Sequence, residues 1–250
     1  MNGFVELQRP DAARLSGAAA RAEALRERYG ELEGEALLRV MLDWEYHGRI
    51  ALVSSFGAEA AILLDMVARI DPATPVIFID TGKLFHHTLT YRDILVRRLG
   101  LTDVRSIEPI RFDLAGHDPD GALWQSNPNL CCYVRKVLPL ERALAGFNAW
   151  ITGRKRDHGG ERSGLQTIEA VDGCIRFNPL AQWSPENIAD AFRERGLPRH
   201  PLNDEGYASI GCAPCTEPTE PTATDARDGR WRGSAKSECG IHQPRWSQAS

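Results

Sequence analysis

The segment RIALVSSFGAEAAILLDMVARI, residues 49–70, narrows the possible folds more than any other stretch of the chain. Ile50–Val53 is an apolar run without polar alternation, Ser54–Gly57 is a turn of small residues, and Glu59–Ile70 carries a helical pattern. A short strand that is apolar on both sides belongs in a sheet covered on both faces. PVIFIDTG repeats the theme: Val76–Ile79 reads as a buried strand, followed by a polar turn and a helix through TLTYRDILVRRL. DVRSIEPI reads as a weaker third strand, AWITGRKRDHGGERS as a strand running into a basic loop, and CIRFNPLAQW as a further strand. SPENIADAFRERG reads as a helix with Ser184 as N-cap, Pro185 in the first turn and Gly196 as the stop. Strands alternating with helices predict an α/β fold, a parallel sheet with helices on both faces whose ligands bind at the carboxyl ends of the strands.

The flanks differ from this centre. Residues 12–47 are rich in Ala, Leu, Glu and Arg and predict two helices broken near Gly30 and Gly34. LCCYVRKVLPLERAL predicts a helix kinked at Pro139. Residues 216–238 are rich in Pro, Thr and Gly, with little large apolar content beyond Trp231, and predict a mobile tail.

A length of 250 residues with 42% hydrophobic and 26% charged residues suits a soluble globular chain. A formal net charge of −4 argues against bulk nucleic-acid binding, so any positive site must be local. Stretches such as AAILL are too short to span a bilayer, and MNGFVELQRPDAARL lacks the apolar core of a signal peptide. No membrane and a cytoplasmic location are the expectations. In a reducing compartment six cysteines point to metal binding or catalysis rather than disulfides.

Cys131 and Cys132 are adjacent. Neighbouring Cα atoms lie about 3.8 Å apart, closer than usual disulfide geometry, so the pair needs another partner. Cys212 and Cys215 form a CxxC 80 residues after Cys132. Four thiolates in this pattern suit a tetrahedral zinc site or an iron–sulfur cluster. Structural zinc usually separates its paired cysteines by two to four residues, whereas a cluster can receive neighbouring thiolates on different irons. Cys174, inside an apolar strand, reads as a small buried hydrophobe. Cys239, alone in ECGIH, is either an incidental surface cysteine or a nucleophile on a swinging arm.

Ser54, Ser55 and Gly57 sit between a strand and a helix N-terminus, where free amides and the helix dipole favour an anion. The chain lacks GxxxxGK[ST] in this loop. DTGKLF brings Thr81 and Gly82 to the next strand end, and TGRKRDHGGER brings Arg154, Lys155, Arg156 and Arg162 to a third. Three polar or basic loops at one sheet edge predict a nucleotide-anion pocket.

SSFGAE, DTGKLF, the paired cysteines before Arg135 and Lys136, TGRKRD, GCAPCT and ECGIH occur in the order and spacing of a known family. From about residue 48 to 242 the chain resembles the assimilatory adenylyl-sulfate reductases of the APS/PAPS reductase family. The resemblance implies an adenine-nucleotide α-hydrolase-like (Rossmann-type) fold. It also implies a 4Fe-4S cluster on Cys131, Cys132, Cys212 and Cys215, with Cys239 as nucleophile. Ser54, Ser55, Phe56 and Gly57 match the nucleotide loop, Lys136 the lysine between cluster and substrate, and Arg227 and Arg230 the tail arginines. Thr81, Gly82, Arg154, Arg156 and Arg162 complete the expected substrate site. The organisation implied is an N-terminal helical segment packed on the core (1–47), a nucleotide- and cluster-binding domain (48–215) and a flexible tail carrying Cys239 (216–250).

The implied activity is reduction of adenosine 5′-phosphosulfate to sulfite and AMP through an enzyme S-sulfocysteine, with thioredoxin or glutaredoxin as reductant, in sulfate assimilation and cysteine biosynthesis. The alternatives are a phosphoadenylyl-sulfate reductase and a tRNA-thiolating pyrophosphatase of the same fold. The second expects an SGGxDS loop where this chain has SSFGAE. A zinc module would account for the CxxC but not for the anion loop or Cys239. Oligomeric state, a homo-oligomer included, is left open.

Overall fold

The computed structural model describes residues 11–159, 162–220, 222–223, 225–234 and 236–242. The first ten residues of the expected N-terminal segment and the last eight of the expected tail lie outside the described residues. The N-terminal helices are α1 (Ala12–Tyr29) and α2 (Gly34–Arg39), the latter running on into a π-helical turn, Val40–Glu45. The break falls at the expected glycines, and Gly34 takes a left-handed φ of +52°.

The sheet alternates with helices as β1 (Ile50–Val53), α3 (Ala60–Ile70), β2 (Val76–Ile79), α4 (His86–Leu99) and β3 (Val104–Ile107). Then follow α5 (Arg111–His117), α6 (Leu123–Ser126), α7 (Pro128–Cys132), a π-helical turn over Tyr133–Val137 and α8 (Leu138–Leu144). The chain returns through β4 (Ala149–Ile151), β5 (Ile168–Val171), β6 (Cys174–Phe177) and α9 (Pro185–Glu194). Strand order is β3-β2-β1-β4-β6-β5. β3, β2, β1, β4 and β6 run parallel, with Leu52 opposite Val76 on one side and Ile151 on the other. The chain winds outward in one direction from β1 and in the other from β4. The crevice between their carboxyl ends is therefore the topological switch point, where sheets of this kind bind ligands.

The expected parallel sheet is corrected at one edge. β5 is absent from the sequence expectation and runs antiparallel to β6, with Val171 opposite Cys174. Asp172 and Gly173 make its two-residue turn with φ of +50° and +78°. An Asp-Gly pair between apolar residues is the strongest short-range hairpin signal, and VDGC carries it. The expected kink at Pro139 takes another form. The π turn at Tyr133–Val137 widens the helix just before the proline, whose missing N–H and ring would otherwise break an α-helical ladder.

Both faces of the sheet are covered. Ile50, Leu52, Val76, Phe78, Ala149 and Ile151 face a large core with α1, α2, α3, α4 and α9. Ala51, Ile77 and Trp150 face a smaller one with Leu140 and Leu144 of α8. α9 starts on a full capping box: Ser184 Oγ accepts from the Asn187 N–H at 3.2 Å and Asn187 Oδ1 accepts from the Ser184 N–H at 3.0 Å. Among the described residues no helix is long and apolar enough to cross a membrane.

Beyond α9 the chain is pinned by His200, which is 0% exposed. Its Nδ1 accepts the Leu202 N–H at 3.2 Å, which puts the ring proton on Nε2, 3.0 Å from Thr88 Oγ1. Burial, and to a smaller extent His87, lower its pKa from 6.5 to about 4. The unfolded chain thus takes up a proton near pH 6.5 that the folded chain refuses until about pH 4. This contribution to stability is complete above pH 6.5 and is lost as pH falls toward 4, about 3 kcal/mol in all. Urea titrations of the wild type and His200→Gln between pH 7 and 4 should show a shallower pH slope in the variant. Equal slopes would show that His200 does not carry the effect.

Candidate active site

Four segments meet at the switch point. The first follows β1. Phe56 has φ +48°, and its fully buried ring packs edge-on against Phe78 with centroids 5.3 Å apart. Its N–H donates to Ser54 Oγ at 3.2 Å. Driving Phe56 into the core turns Ser54, Ser55 and Gly57 toward the crevice, whose walls they form. A side chain at Gly57 would put Cβ 3.1 Å from the Ile210 carbonyl oxygen, so glycine permits the 208–211 segment to close over the loop.

The second segment follows β4. Thr152 Oγ1 donates to Asn178 Oδ1 at 2.9 Å and accepts the Arg154 N–H at 3.3 Å. The Arg154 guanidinium is buried beside Glu169 (3.5 Å), and its Nε has no hydrogen-bond partner. Burial and the neighbouring Arg176 lower its pKa to about 10. Lys155, 1% exposed, pairs with Glu59 at 2.8 Å.

The third is the π turn. Arg135 is buried, donating from Nε to Asp118 Oδ2 at 2.6 Å and from Nη1 to the Thr81 carbonyl at 2.8 Å. Lys136 lines two cavities at once: the crevice, and a smaller one formed by Cys131, Cys132, Cys212 and Cys215. Burial opposes its charge, but the neighbouring sulfurs of Cys212, Cys239 and Cys132 hold its pKa above the ordinary lysine value. Burial, with charge on Cys212, raises the Cys131 thiol to about 11, and the same two causes raise Cys215. The lining of the smaller cavity includes no carboxylate and no imidazole, so its donors are sulfur alone. Among the described residues no three His, Cys, Asp or Glu side chains are grouped to hold a single metal ion.

The fourth segment is the tail, seated on the CxxC loop. Thr216 bridges Arg230, the Glu217 N–H donates to the Gly229 carbonyl at 2.8 Å, and the Trp231 N–H donates to the Cys215 carbonyl at 3.1 Å. Trp231, 5% exposed, has the guanidinium carbons of Arg230 and Arg227 and the Lys236 ammonium at 4.5, 5.5 and 5.6 Å from its ring. The chain then delivers Glu238, Cys239 and His242 into the crevice. The Cys132 thiol, Lys136, the Ile241 N–H and Arg230 together hold the Cys239 pKa well below the usual thiol value, against the effect of burial. His242 stacks on Trp150 (6.3 Å, 1° between planes); burial, then Arg154 and Arg176, hold it neutral.

Of the expected site residues, Ser54, Ser55, Gly57, Lys136, Arg154, Arg162, Arg227, Arg230 and Cys239 line one cavity. Phe56 supports it from the core. Thr81 and Gly82 stand on the cysteine side instead: Thr81 Oγ1 lies 3.3 Å from Cys212 Sγ, and the Gly82 N–H donates to Asp80 Oδ1 at 3.0 Å. Arg156 is exposed and donates from Nε to the Leu165 carbonyl at 2.7 Å, away from the crevice. Glu238, His242, Glu59 and Trp231 join the site without having been expected there. The one signal in the sequence for Glu238 is its place directly before the lone Cys239.

A family model for the phosphoadenosine phosphosulfate reductase domain matches residues 49–218. The adenosine 5′-phosphosulfate reductase of Mesorhizobium japonicum is 51% identical over 226 residues, covering 90% of this chain and 89% of its own. The phosphoadenosine 5′-phosphosulfate reductase of Gloeobacter violaceus is 38% identical, covering 88% and 92%. A crystal structure of the phosphoadenylyl-sulfate reductase of Candida auris, in a phosphate complex, is similar with a TM-score of 0.65 at 26% identity, covering 84% of this chain and 98% of that one.

The tail's seat depends on Gly229, where a Cβ would lie 2.2 Å from the Glu217 carbonyl oxygen. Both groups are backbone, so Gly229→Ala must open their pairing, at a cost of about 1–3 kcal/mol. Trypsin should then cleave at Arg227, Arg230, Arg232 or Lys236 about tenfold faster or more, with cleavage in the sheet domain unchanged. Wild-type cleavage rates in the tail would refute this account of its docking.

Proposed function

The chain belongs to the phosphoadenosine phosphosulfate reductase family, with its adenine-nucleotide α-hydrolase-like fold, and from that starting point we propose that it reduces adenosine 5′-phosphosulfate to sulfite and AMP. The observation that supports this best is the convergence of Cys239 and five cationic side chains on one crevice beside the strand-to-helix loop of Ser54, Ser55 and Gly57.

The Cys239 thiolate attacks the sulfur of the sulfuryl group. An S–S bond forms as the bond from sulfur to the phosphate oxygen breaks, giving Cys239 S-sulfonate and AMP. Lys136 and Arg230, the cations whose charge acts on Cys239, offset charge on the sulfuryl oxygens. Arg154 offers its unpaired Nε to the nucleotide. With the tail seated, the crevice walls shield the S-sulfonate from bulk water. Turnover then needs two electrons from a dithiol such as that of thioredoxin or glutaredoxin. One thiolate attacks Cys239 Sγ and expels sulfite; the second closes a disulfide in the donor and frees Cys239. Cys239 must therefore be reached from outside, which the tail allows by leaving the crevice.

The four-sulfur donor set around the second cavity fits a 4Fe-4S cluster, held by Cys131, Cys132, Cys212 and Cys215. Bound there, the cluster would supply negative charge and a rigid mount behind Lys136, the dithiol already supplying both electrons. With Cys132 ligated, its thiol would no longer donate to Cys239. Lys136, the Ile241 N–H and Arg230 then remain to stabilise the Cys239 thiolate.

Sulfite release under anaerobic conditions, with both nucleotides compared, tests the reading. Adenosine 5′-phosphosulfate should be preferred in kcat/KM by at least about tenfold, or about 1.4 kcal/mol. Equal values, or an advantage for the 3′-phosphorylated nucleotide, would favour the second reading, in which Arg154 accepts the extra phosphate. Cys239→Ser should bind nucleotide yet form neither S-sulfonate nor sulfite. Cys132→Ser and Cys215→Ser should each lose iron and activity together, by iron assay and absorbance near about 400 nm. Full activity in iron-free protein would remove the cluster from the account.

A further inference from the structure

Glu238 is 4% exposed and lies one residue before Cys239. Its carboxylate is gripped from the body of the protein by Arg162, with Arg162 Nε and Nη2 donating to Oε2 at 3.0 and 2.9 Å and Nη2 to Oε1 at 2.5 Å. Arg162 is itself 7% exposed and belongs to the basic loop after β4. From the tail side Arg227 Nη2 lies 3.4 Å from Oε1 and also donates to the Ser237 carbonyl at 3.0 Å. Burial works to raise the Glu238 pKa, but the two arginines hold it below the ordinary value, so the pair stays ionised.

A carboxylate among arginines in an anion pocket has two possible meanings. It can stand in for the substrate's anionic group and be expelled on binding, or it can be a permanent part of the closed site. Glu238 is buried, held through both oxygens and bonded directly to Cys239, so a tail that leaves Arg162 takes Cys239 away from Lys136. The nucleophile must be in place while the nucleotide is bound, so the carboxylate stays. Taking Cys239 as the nucleophile, the one element borrowed from the proposed function, we propose that Glu238 is a positioning residue. Its grip on Arg162 seats Cys239 in the crevice, and Arg162 serves the tail rather than the substrate. The anionic part of the nucleotide is then left to Lys136, Arg230 and Arg154. Because the pair is buried, removing one partner leaves the other's charge less well compensated, and removing both costs less than the two separate losses.

Full-length Glu238→Gln, Arg162→Gln and the double variant test this, with AMP as the nucleotide probe. In each single variant amide exchange over residues 237–242 should speed up about tenfold or more, while AMP Kd moves less than about threefold. kcat should fall about tenfold or more with KM little changed, and the double variant should be no worse than either single one. If a glutamine variant does not fold, Arg162→Lys keeps the charge but not the two-pronged grip, and should show the same changes in smaller measure. Unchanged exchange and kcat in both single variants would overturn the proposal, as would multiplicative effects in the double variant. AMP binding about tenfold tighter in Glu238→Gln would identify the carboxylate as a substrate stand-in, which also overturns it. If the wild type released no sulfite from either nucleotide, the proposed activity would fall, while exchange and AMP binding would still decide the role of Glu238.

Discussion

Positive charge crowded at the carboxyl edge of β1 and β4 is the constraint around which this protein is organised. Lys136, Arg154, Arg162, Arg227 and Arg230 share one crevice in a chain whose formal net charge is −4. Buried together, these cations lose hydration and also repel one another, which is why Arg154 and Arg227 both have pKa values lowered to about 10. The fold offsets this with carboxylates: Glu238 holds Arg162 and Arg227, and others hold Arg154 and the cations around the crevice. Glu169 of β5 takes Arg176 at 2.9 Å and Arg154 at 3.5 Å, Glu59 takes Lys155 at 2.8 Å, and Asp118 takes Arg135 at 2.6 Å. Each such pair also ties one segment to another, so the electrostatics of the crevice and its architecture are the same set of contacts.

The helical stretch from Pro128 to Leu144 links the two cavities. Its first turn carries Cys131 and Cys132, its π turn carries Arg135 and Lys136, and its last turn packs Leu140 and Leu144 under the sheet. A π turn shifts the face that side chains present relative to the turn before it. Lys136 thus lines both the cysteine cavity and the crevice, while Arg135 points back to Thr81 after β2. Mounting the paired cysteines and the lysine on one rigid element leaves little freedom between them, which suits a site in which charge placement matters.

Much of this was legible in the sequence because it rested on local patterns. The apolar runs at Ile50–Val53 and Val76–Ile79, the cap at Ser184 and the stop at Gly196 are decided by the residues themselves. Ser54, Ser55 and Gly57 fall at the crevice because a strand-turn-helix pattern fixes which edge of the sheet their loop occupies. The misplaced residues depend on direction rather than type. Phe56, Thr81, Gly82 and Arg156 all lie in loops at the right edge, but a left-handed φ, a bond to Cys212 and a bond to Leu165 turn them elsewhere. Glu238 escaped because its partner is distant in sequence, Arg162 lying 76 residues away. β5 is the exception, since its Asp-Gly turn was there to be read.

The bridge between Thr216 and Arg230 sets the length of the leash on Cys239. With Trp231 also bonded to Cys215, the stretch from 216 to 231 is a closed loop fastened at both ends to the CxxC segment. If those fastenings hold while the sulfur travels, only residues 232–239 pay out, eight in all. At roughly 3.3–3.6 Å per extended residue, that gives a maximum reach of roughly 25–30 Å. A thiol donor would have to approach within that radius of Trp231, so the patch of surface open to it is bounded by chain length before any question of surface chemistry arises.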